Sequence, residues 1–152
     1  MTRLSFDQLK IGDRFVSHRR TLTEADHTMF MMLVGDWSPV HADAEFAAGT
    51  PLGQRLIHGG FGIALALGMQ TTALEFADPF ISALGVAEWS YKAPLFIGDT
   101  VHVDVEIAGK RITSNKERYV VERRLRLFKQ GGALAQEGVA SALLRLPAGV
   151  AA

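Results

Sequence analysis

The chain has 152 residues, the size of a single domain (residues 1–152) that buries about 70% of the surface its unfolded chain exposes. Its 16 basic residues balance its 16 acidic residues, so the charge gives no reason to expect nucleic acid or a membrane surface as a partner. The absence of Cys excludes disulfides, a thiolate nucleophile and thiolate metal sites. We therefore expect any chemistry to use carboxylates, imidazoles, hydroxyls or backbone dipoles.

The amino-terminal segment is too polar to be a signal peptide, because Arg3, Asp7 and Lys10 interrupt its apolar residues. We therefore expect a cytoplasmic protein. The first predicted strand runs from Arg14 to Leu22, after the Gly12-Asp13 turn signal.

The next predicted element is a helix from Glu24 to Val34. Thr23 is its expected N-cap, because a hydroxyl accepts hydrogen bonds from the free amides of the first turn. Gly35 is expected to end the helix in the left-handed conformation. The apolar residues predicted to share one face are Ala25, Met29, Met32 and Leu33.

A loop and a long apolar helix are expected to follow. Pro39 restricts the residue before it, so Asp36 to His41 is predicted to be irregular. Asp43 is the expected cap of a short turn through Ala48. The apolar helix is predicted to begin around His58 and to end near Ala77, and its many small residues allow close packing.

The last third of the chain predicts antiparallel strands. Leu84 to Ala93 is read as a strand, and Gly131-Gly132 as a hairpin turn into Ala133 to Leu146. Apolar and polar residues alternate from Val101 to Ile107, and again along the next strand, where Arg123 breaks the apolar face. The fold class predicted is α+β, with about five antiparallel strands curled round a long central helix.

One short segment concentrates groups that can carry out chemistry: Gly35-Asp36-Trp37-Ser38-Pro39-Val40-His41. A loop bent at Pro39 can bring Asp36 and His41 together as a general acid and a general base. Trp37 and Val40 would then exclude water and shift the pKa values of the pair. The alternative interpretation is that Asp36 caps a turn and His41 is a solvated ring.

A second segment, Leu56-Ile57-His58-Gly59-Gly60, lies at the start of the apolar helix. Free amides at a helix N-terminus carry positive partial charge, so Gly59 can contribute to an oxyanion hole. The alternative is that the glycines only permit tight helix packing.

Together these strings resemble a known family. GDWSPVHAD and LIHGGFGIALAL are similar to the motifs of MaoC-like dehydratases and (R)-specific enoyl-CoA hydratases, Gly-Asp-x-Asn-Pro-x-His followed by a His-Gly helix start. The segments LKIGD and PLFIGDT, at residues 9–13 and 94–100, also resemble turns of that family. The resemblance implies a hot-dog fold.

The resemblance also implies an activity, that of a hydro-lyase acting on an acyl-CoA thioester without a cofactor or a metal. Asp36 and His41 would hold a water and add it syn, reversibly, to a trans-2-enoyl-CoA, giving the (R)-3-hydroxyacyl-CoA. The Gly59 amide would stabilise the enolate oxygen, and His58 would fix the helix start. We assign His41 as the base and Asp36 as the acid. Ser38 stands where the family usually has Asn.

Two other functions remain open on the sequence. One is a non-catalytic domain that binds acyl thioesters, for which the Ser38 exchange is the only support. The other is an acyl-CoA thioesterase in which Asp36 activates water against the carbonyl carbon. Self-association is expected in each case, because one curled sheet leaves its edge strands open, and the resemblance to hot-dog proteins implies a homodimer.

The remaining polar residues are given surface roles. His18, His27 and His102 are predicted to be solvated. A metal site built from His41, Asp43 and His58 lacks a recognisable ligand spacing. A basic cluster is predicted to be a solvated strand face, part of which can bind coenzyme A phosphates; its members are Arg111, Lys116, Arg118, Arg123, Arg124 and Arg126.

Overall fold

The computed structural model describes residues 2–149. The helices are α1 (Glu24–Val34), α2 (Pro39–Ala42), α3 (Ala44–Ala48) and α4 (Gly59–Met69). The strands are β1 (Thr2–Leu4), β2 (Arg14–Val16), β3 (Arg20–Thr21), β4 (Leu74–Phe76), β5 (Phe80–Tyr91), β6 (Thr100–Ile112), β7 (Arg118–Lys129) and β8 (Leu134–Arg145). Within the described part of the chain, no helix has the length and hydrophobicity that a membrane crossing requires.

The main sheet is antiparallel and has six strands. Its order is β2-β6-β7-β8-β5, and β3 also pairs with β6, while β1 and β4 form a separate parallel pair. The curled sheet with a central helix is confirmed. The single first strand expected from Arg14 to Leu22 is wrong: Val16 pairs with Asp104 but Arg20 pairs with Val101, so the chain bulges by one residue between β2 and β3.

The central helix α4 ends at Met69, eight residues before the predicted end near Ala77. A 3₁₀ turn, Gln70–Thr72, follows it. The hydroxyls of Thr71 and Thr72 donate to the carbonyls of Gly68 and Met69, so the threonines bond back to the helix end. The chain then enters β4, which pairs with β1. The local sequence does not predict this pairing.

The hydrophobic core lies between the sheet and α4. The alternation predicted along β6 is confirmed, because Val101, Val103, Val105 and Ile107 are fully buried. The Gly131-Gly132 turn between β7 and β8 is confirmed as well, with both glycines at positive φ. The strand expected from Leu84 to Ala93 begins earlier, at Phe80.

The basic cluster is not uniformly solvated. Arg123 points inward from β7 and is only 8% exposed, in the same row as the buried Val121 and Leu125. Its prediction as a surface residue is therefore wrong, because strand alternation outweighs side-chain polarity. The other members are exposed or half-buried: Arg111, Lys116, Arg118, Arg124 and Arg126.

Helix α1 has the predicted bounds. The Thr23 side chain accepts from the Asp26 amide in a capping box, and Gly35 has a left-handed φ of 75°. The predicted apolar face, however, faces solvent: Met29, Met32 and Leu33 are 66–81% exposed, and Ala25 is exposed. The buried residues of α1 are His27 and Met31, so the surface role predicted for His27 is wrong.

Candidate active site

A tight loop and one helical turn deliver the first two site residues. The left-handed Gly35 ends α1, and Asp36 to Ser38 form the irregular segment that the sequence predicted. From Pro39 onward that prediction is wrong, because the fixed φ of Pro39 suits the first position of the short helix α2. This turn carries His41 inward, where it is 9% exposed.

The start of α4 delivers His58. The Leu56 amide donates to the Val40 carbonyl, and the Ile57 amide donates to the Leu95 carbonyl. These two bonds hold the segment between α2 and the connection from β5 to β6. His58 is the N-cap of α4, and its Nδ1 accepts from the Gly60 amide at 3.0 Å. The helix-start role predicted for His58 is therefore seen directly.

Asp36, His41 and His58 form one cluster. The Asp36 carboxylate oxygen Oδ2 lies 3.1 Å from His58 Nε2 and 3.9 Å from His41 Nε2. The centroids of the two imidazole rings are 5.2 Å apart. The loop thus brings Asp36 and His41 together, as the sequence predicted, and adds the His58 ring beside them.

The hydrogen bonds define which ring nitrogens carry protons. His41 Nδ1 lies 2.6 Å from the Leu56 carbonyl oxygen, which can only accept, so Nδ1 carries a proton and, in the neutral ring, Nε2 presents the lone pair. His58 Nδ1 accepts from the Gly60 amide, so the proton of His58 is on Nε2 and is donated to Asp36. The cluster therefore presents two acceptors side by side, His41 Nε2 and the Asp36 carboxylate.

Ser38 keeps Asp36 ionised. The Ser38 hydroxyl and amide both donate to Asp36 Oδ1, at 2.5 and 3.0 Å. These hydrogen bonds, with the nearby imidazoles, hold the pKa of Asp36 below its ordinary value. Asp36 is consequently a carboxylate at neutral pH, and its assignment as the acid of the pair stays a prediction. Trp37, expected to exclude water, is 53% exposed.

Gly59 offers a backbone amide beside this cluster. It is the first residue of α4, and its N–H has no hydrogen-bond partner among residues 2–149. A Cβ at Gly59 would lie 2.8 Å from Tyr91 Cε1, so a glycine is needed for close approach. Gly59 and Tyr91 border a cavity of about 370 Å³ that Asp36 and His41 do not line.

The packing interpretation of the helix glycines fits Gly62 better than Gly59. A Cβ at Gly62 would lie 2.2 Å from the Gln136 side chain, so that glycine gives room to the sheet. The packing interpretation therefore applies at Gly62, and the oxyanion-hole interpretation of Gly59 stays a prediction.

His27 belongs to the site although its sequence position gave it a surface role. Its Nε2 donates to the His41 carbonyl oxygen at 2.8 Å, and its buried Nδ1 has no partner among the described residues. The side chain thus supports the backbone of His41 from below. The signal that identifies it is its spacing from Met31, four residues on, which is the other buried residue of α1.

The cluster also has the composition of a possible metal site. The ligand atoms of Asp36, His41 and His58 all lie within 4.8 Å of one another. Asp43, considered with the two histidines from the sequence, is instead the N-cap of α3. Because Asp36 and His58 already satisfy each other, the cluster is held together by its own hydrogen bonds.

Comparisons with known proteins give this geometry a context. Protein MaoC of Klebsiella aerogenes is 35% identical over 118 residues, 78% of this chain, but this chain spans only 34% of that protein. The (R)-specific enoyl-CoA hydratase of Aeromonas caviae is 29% identical over 144 residues, 95% of this chain and 100% of the relative.

Solved structures agree. A MaoC-like dehydratase from Rhodospirillum rubrum superposes with a TM-score of 0.84 at 25% identity, covering 95% of this chain and 98% of that one. A Mycobacterium tuberculosis protein described as a double hot-dog fold gives a TM-score of 0.83 at 21% identity, over 97% of this chain and 46% of that one. The fold is thus the hot-dog fold. The family model of the MaoC-like domain matches residues 7–126, and the chain belongs to this MaoC-like dehydratase family.

Proposed function

We propose that the protein is an enoyl-CoA hydratase, adding water syn and reversibly to a trans-2-enoyl-CoA to give the (R)-3-hydroxyacyl-CoA. The observation that carries this proposal is the 3.9 Å separation between Asp36 Oδ2 and His41 Nε2, two acceptors with ordinary hydrogen-bond reach. A water donating to both at about 2.8 Å fits between them. Its oxygen lone pair is then free to attack the β-carbon of the substrate.

The protonation states of the site determine which group takes the proton of the attacking water. Because Nε2 of His41 has the lone pair, it takes a proton from the water while the hydroxyl bonds to the β-carbon, and the Asp36 carboxylate stabilises the resulting imidazolium. The electrons of the double bond move onto the thioester oxygen, which the Gly59 amide stabilises. The His41 imidazolium, held beside Asp36, then returns this proton to the α-carbon. Delivery of both groups from one face gives syn addition.

The test is the fate of crotonyl-CoA. Loss of the enoyl absorbance without release of free thiol is the expected result and identifies hydration. Release of thiol identifies a thioesterase, and binding without either change identifies a non-catalytic domain. Both of those outcomes would contradict the proposal.

A cytoplasmic location stays a prediction.

We further propose that the protein is a homodimer joined along β5. This strand lies at one edge of the main sheet, where its outer backbone groups have no neighbouring strand among residues 2–149. Its large apolar side chains are 40–60% exposed: Phe80, Ile81, Leu84, Val86 and Tyr91. An open edge combined with exposed apolar surface is typical of a contact between copies.

Sedimentation of a charged variant tests the dimer. Leu84→Lys should shift the protein toward the monomer, because it places a charge in the apolar strand. Met32→Lys is the matched control, since Met32 is also apolar and exposed but lies on α1. A wild-type monomer, or a dimer that only Met32→Lys disrupts, would contradict the β5 interface.

A further inference from the structure

Arg123 is a buried charge without a counter-ion. Its Nη1 donates to the Gln70 side-chain oxygen at 2.7 Å, and its Nε is buried with no partner among residues 2–149. No carboxylate of the described residues lies within 4.0 Å of the guanidinium. The Phe76 ring lies 5.4 Å from it and contributes only a weak contact.

Burial does not remove this charge. Desolvation lowers the pKa of Arg123 to about 10, so the side chain remains protonated at neutral pH. Buried charges in proteins are normally paired or bind a ligand, because an uncompensated charge in the interior costs stability. Arg123 therefore calls for an anionic partner that residues 2–149 do not supply.

A cavity of about 560 Å³ lies beside Arg123, within the size range of small-molecule sites. It is at the opposite end of α4 from the catalytic cluster. Its walls combine Arg123 and Gln70 with apolar side chains, among them Leu67, Phe76 and Val86.

The two acidic residues of the cavity wall have partners of their own. Asp78 Oδ2 accepts from the Phe6 amide at 2.7 Å and from the Tyr119 hydroxyl at 2.9 Å. Glu75 forms an ion pair with Arg3 at 3.9 Å. These acids do not neutralise Arg123, and their charges disfavour a doubly charged ligand such as phosphate.

We propose that this cavity binds an apolar chain ending in a carboxylate, with Arg123 holding the carboxylate and Gln70 orienting the guanidinium. Gln70 engages one hydrogen of Nη1, and the guanidinium borders the cavity, so its remaining Nη hydrogens can donate to a carboxylate there. A single negative charge matches the single guanidinium, and the apolar walls accept the chain.

Two sources can supply this chemistry. The ends of α4 are roughly 16 Å apart, from eleven residues at about 1.5 Å each. A long acyl thioester bound at Gly59 would have to span this length to place a terminal carboxylate at Arg123; this source rests on the proposed hydratase function. The other source is a free fatty acid, which needs no catalysis.

Calorimetry with octanoate and its neutral analogue octanamide tests the site without any turnover. We expect wild-type protein to bind octanoate at least about tenfold more tightly than octanamide, and Arg123→Gln to lose that preference. Arg124→Gln is the matched control, because the half-buried Arg124 lies on the other face of β7, near Glu88. Equal octanoate binding by wild type and Arg123→Gln, or no binding by wild type, would overturn the proposal.

A second variant and a second measurement separate loss of the carboxylate site from loss of the fold or of a dimer. If Arg123→Gln does not fold, Arg123→Lys retains the charge but not the fork, and it should weaken octanoate binding. Sedimentation separates a ligand from a second copy of the chain. If Arg123→Gln dissociates a dimer and wild type fails to bind octanoate, a partner carboxylate occupies the cavity and the proposal is overturned.

Thioesters identify the source. If the ligand is the substrate, a long enoyl-CoA with a terminal carboxylate should have a lower KM than its methyl-terminated counterpart, and Arg123→Gln should remove the difference. Arg123-dependent octanoate binding without that KM difference identifies a free fatty acid. Octanoate binding in a protein that hydrates no thioester would leave this site standing while the hydratase proposal fails.

Discussion

The two ends of α4 differ in how far their buried polar groups have hydrogen-bond or ionic partners. At the amino-terminal end, the Asp36 carboxylate, His41 Nδ1 and both ring nitrogens of His58 have partners within 3.1 Å, and His41 Nε2 is left free beside Asp36. At the carboxyl-terminal end, Arg123 has one amide partner and, among the described residues, no counter-ion. A satisfied polar network fixes protonation states, whereas an unsatisfied charge lowers stability until something binds it. Substitutions at the first end should therefore change rates, and those at the second should change stability.

The largest effect is expected at the proposed catalytic pair, Asp36 and His41. Asp36→Asn and His41→Gln should each lower kcat/KM for crotonyl-CoA hydration by roughly 10²–10⁴-fold, because the first removes the carboxylate charge and the second removes the basic ring nitrogen. The thermal transition should move little. Asp43→Asn is the control, since Asp43 caps α3 and Asn caps equally well. Wild-type rates in both variants would remove the catalytic assignment.

The next effect is expected at the oxyanion amide. Gly59→Pro deletes the N–H at a helix position that accepts Pro, and kcat should fall by roughly 10²–10³-fold. Because any Cβ here meets Tyr91, Gly59→Ala measures the cost of that contact with the amide retained. Equal kcat values for the Pro and Ala variants would show that the amide has no role.

At the other end of α4, stability is the readout. Arg123→Met should raise the free energy of unfolding by about 1–3 kcal/mol, because an apolar side chain replaces an uncompensated buried charge. Arg124→Met should change it by less than about 0.5 kcal/mol, as expected for a partly exposed ion pair. Denaturant titration of both variants measures the difference. A destabilised Arg123→Met would show that Arg123 is adequately compensated within the chain.

The smallest effect concerns pH. Hydrogen bonds from Ser38 lower the pKa of Asp36, so the carboxylate form persists as the pH falls. Ser38→Ala removes the hydroxyl donor, which should raise that pKa and move the acidic limb of the kcat/KM profile to higher pH. Ser38→Asn keeps a donor at this position and should leave the limb closer to that of wild type. If the acidic limb does not move in Ser38→Ala, the ionisation of Asp36 does not determine that limb.

Structural features that depend on local interactions could be predicted from the sequence. The bounds of α1 follow from Thr23 and Gly35, which act on residues within one helical turn. The burial of β6 follows from its alternation, because successive side chains of a strand lie on opposite faces. The family motif likewise located Asp36, His41 and Gly59 before their geometry was known.

Contacts between distant residues decided the rest. His27 is buried because the His41 carbonyl, fourteen residues away, gives it a partner, and Arg123 meets Gln70 across 53 residues. The tautomer of His41 depends on the Leu56 carbonyl, and the segment that follows α4 enters β4, which pairs with the distant β1. The sequence alone determined caps, alternation and the candidate catalytic loop, since these are short-range properties of the chain. Burial, protonation state and the unpaired charge belong to the tertiary structure, because each depends on which remote groups the fold brings within hydrogen-bonding distance.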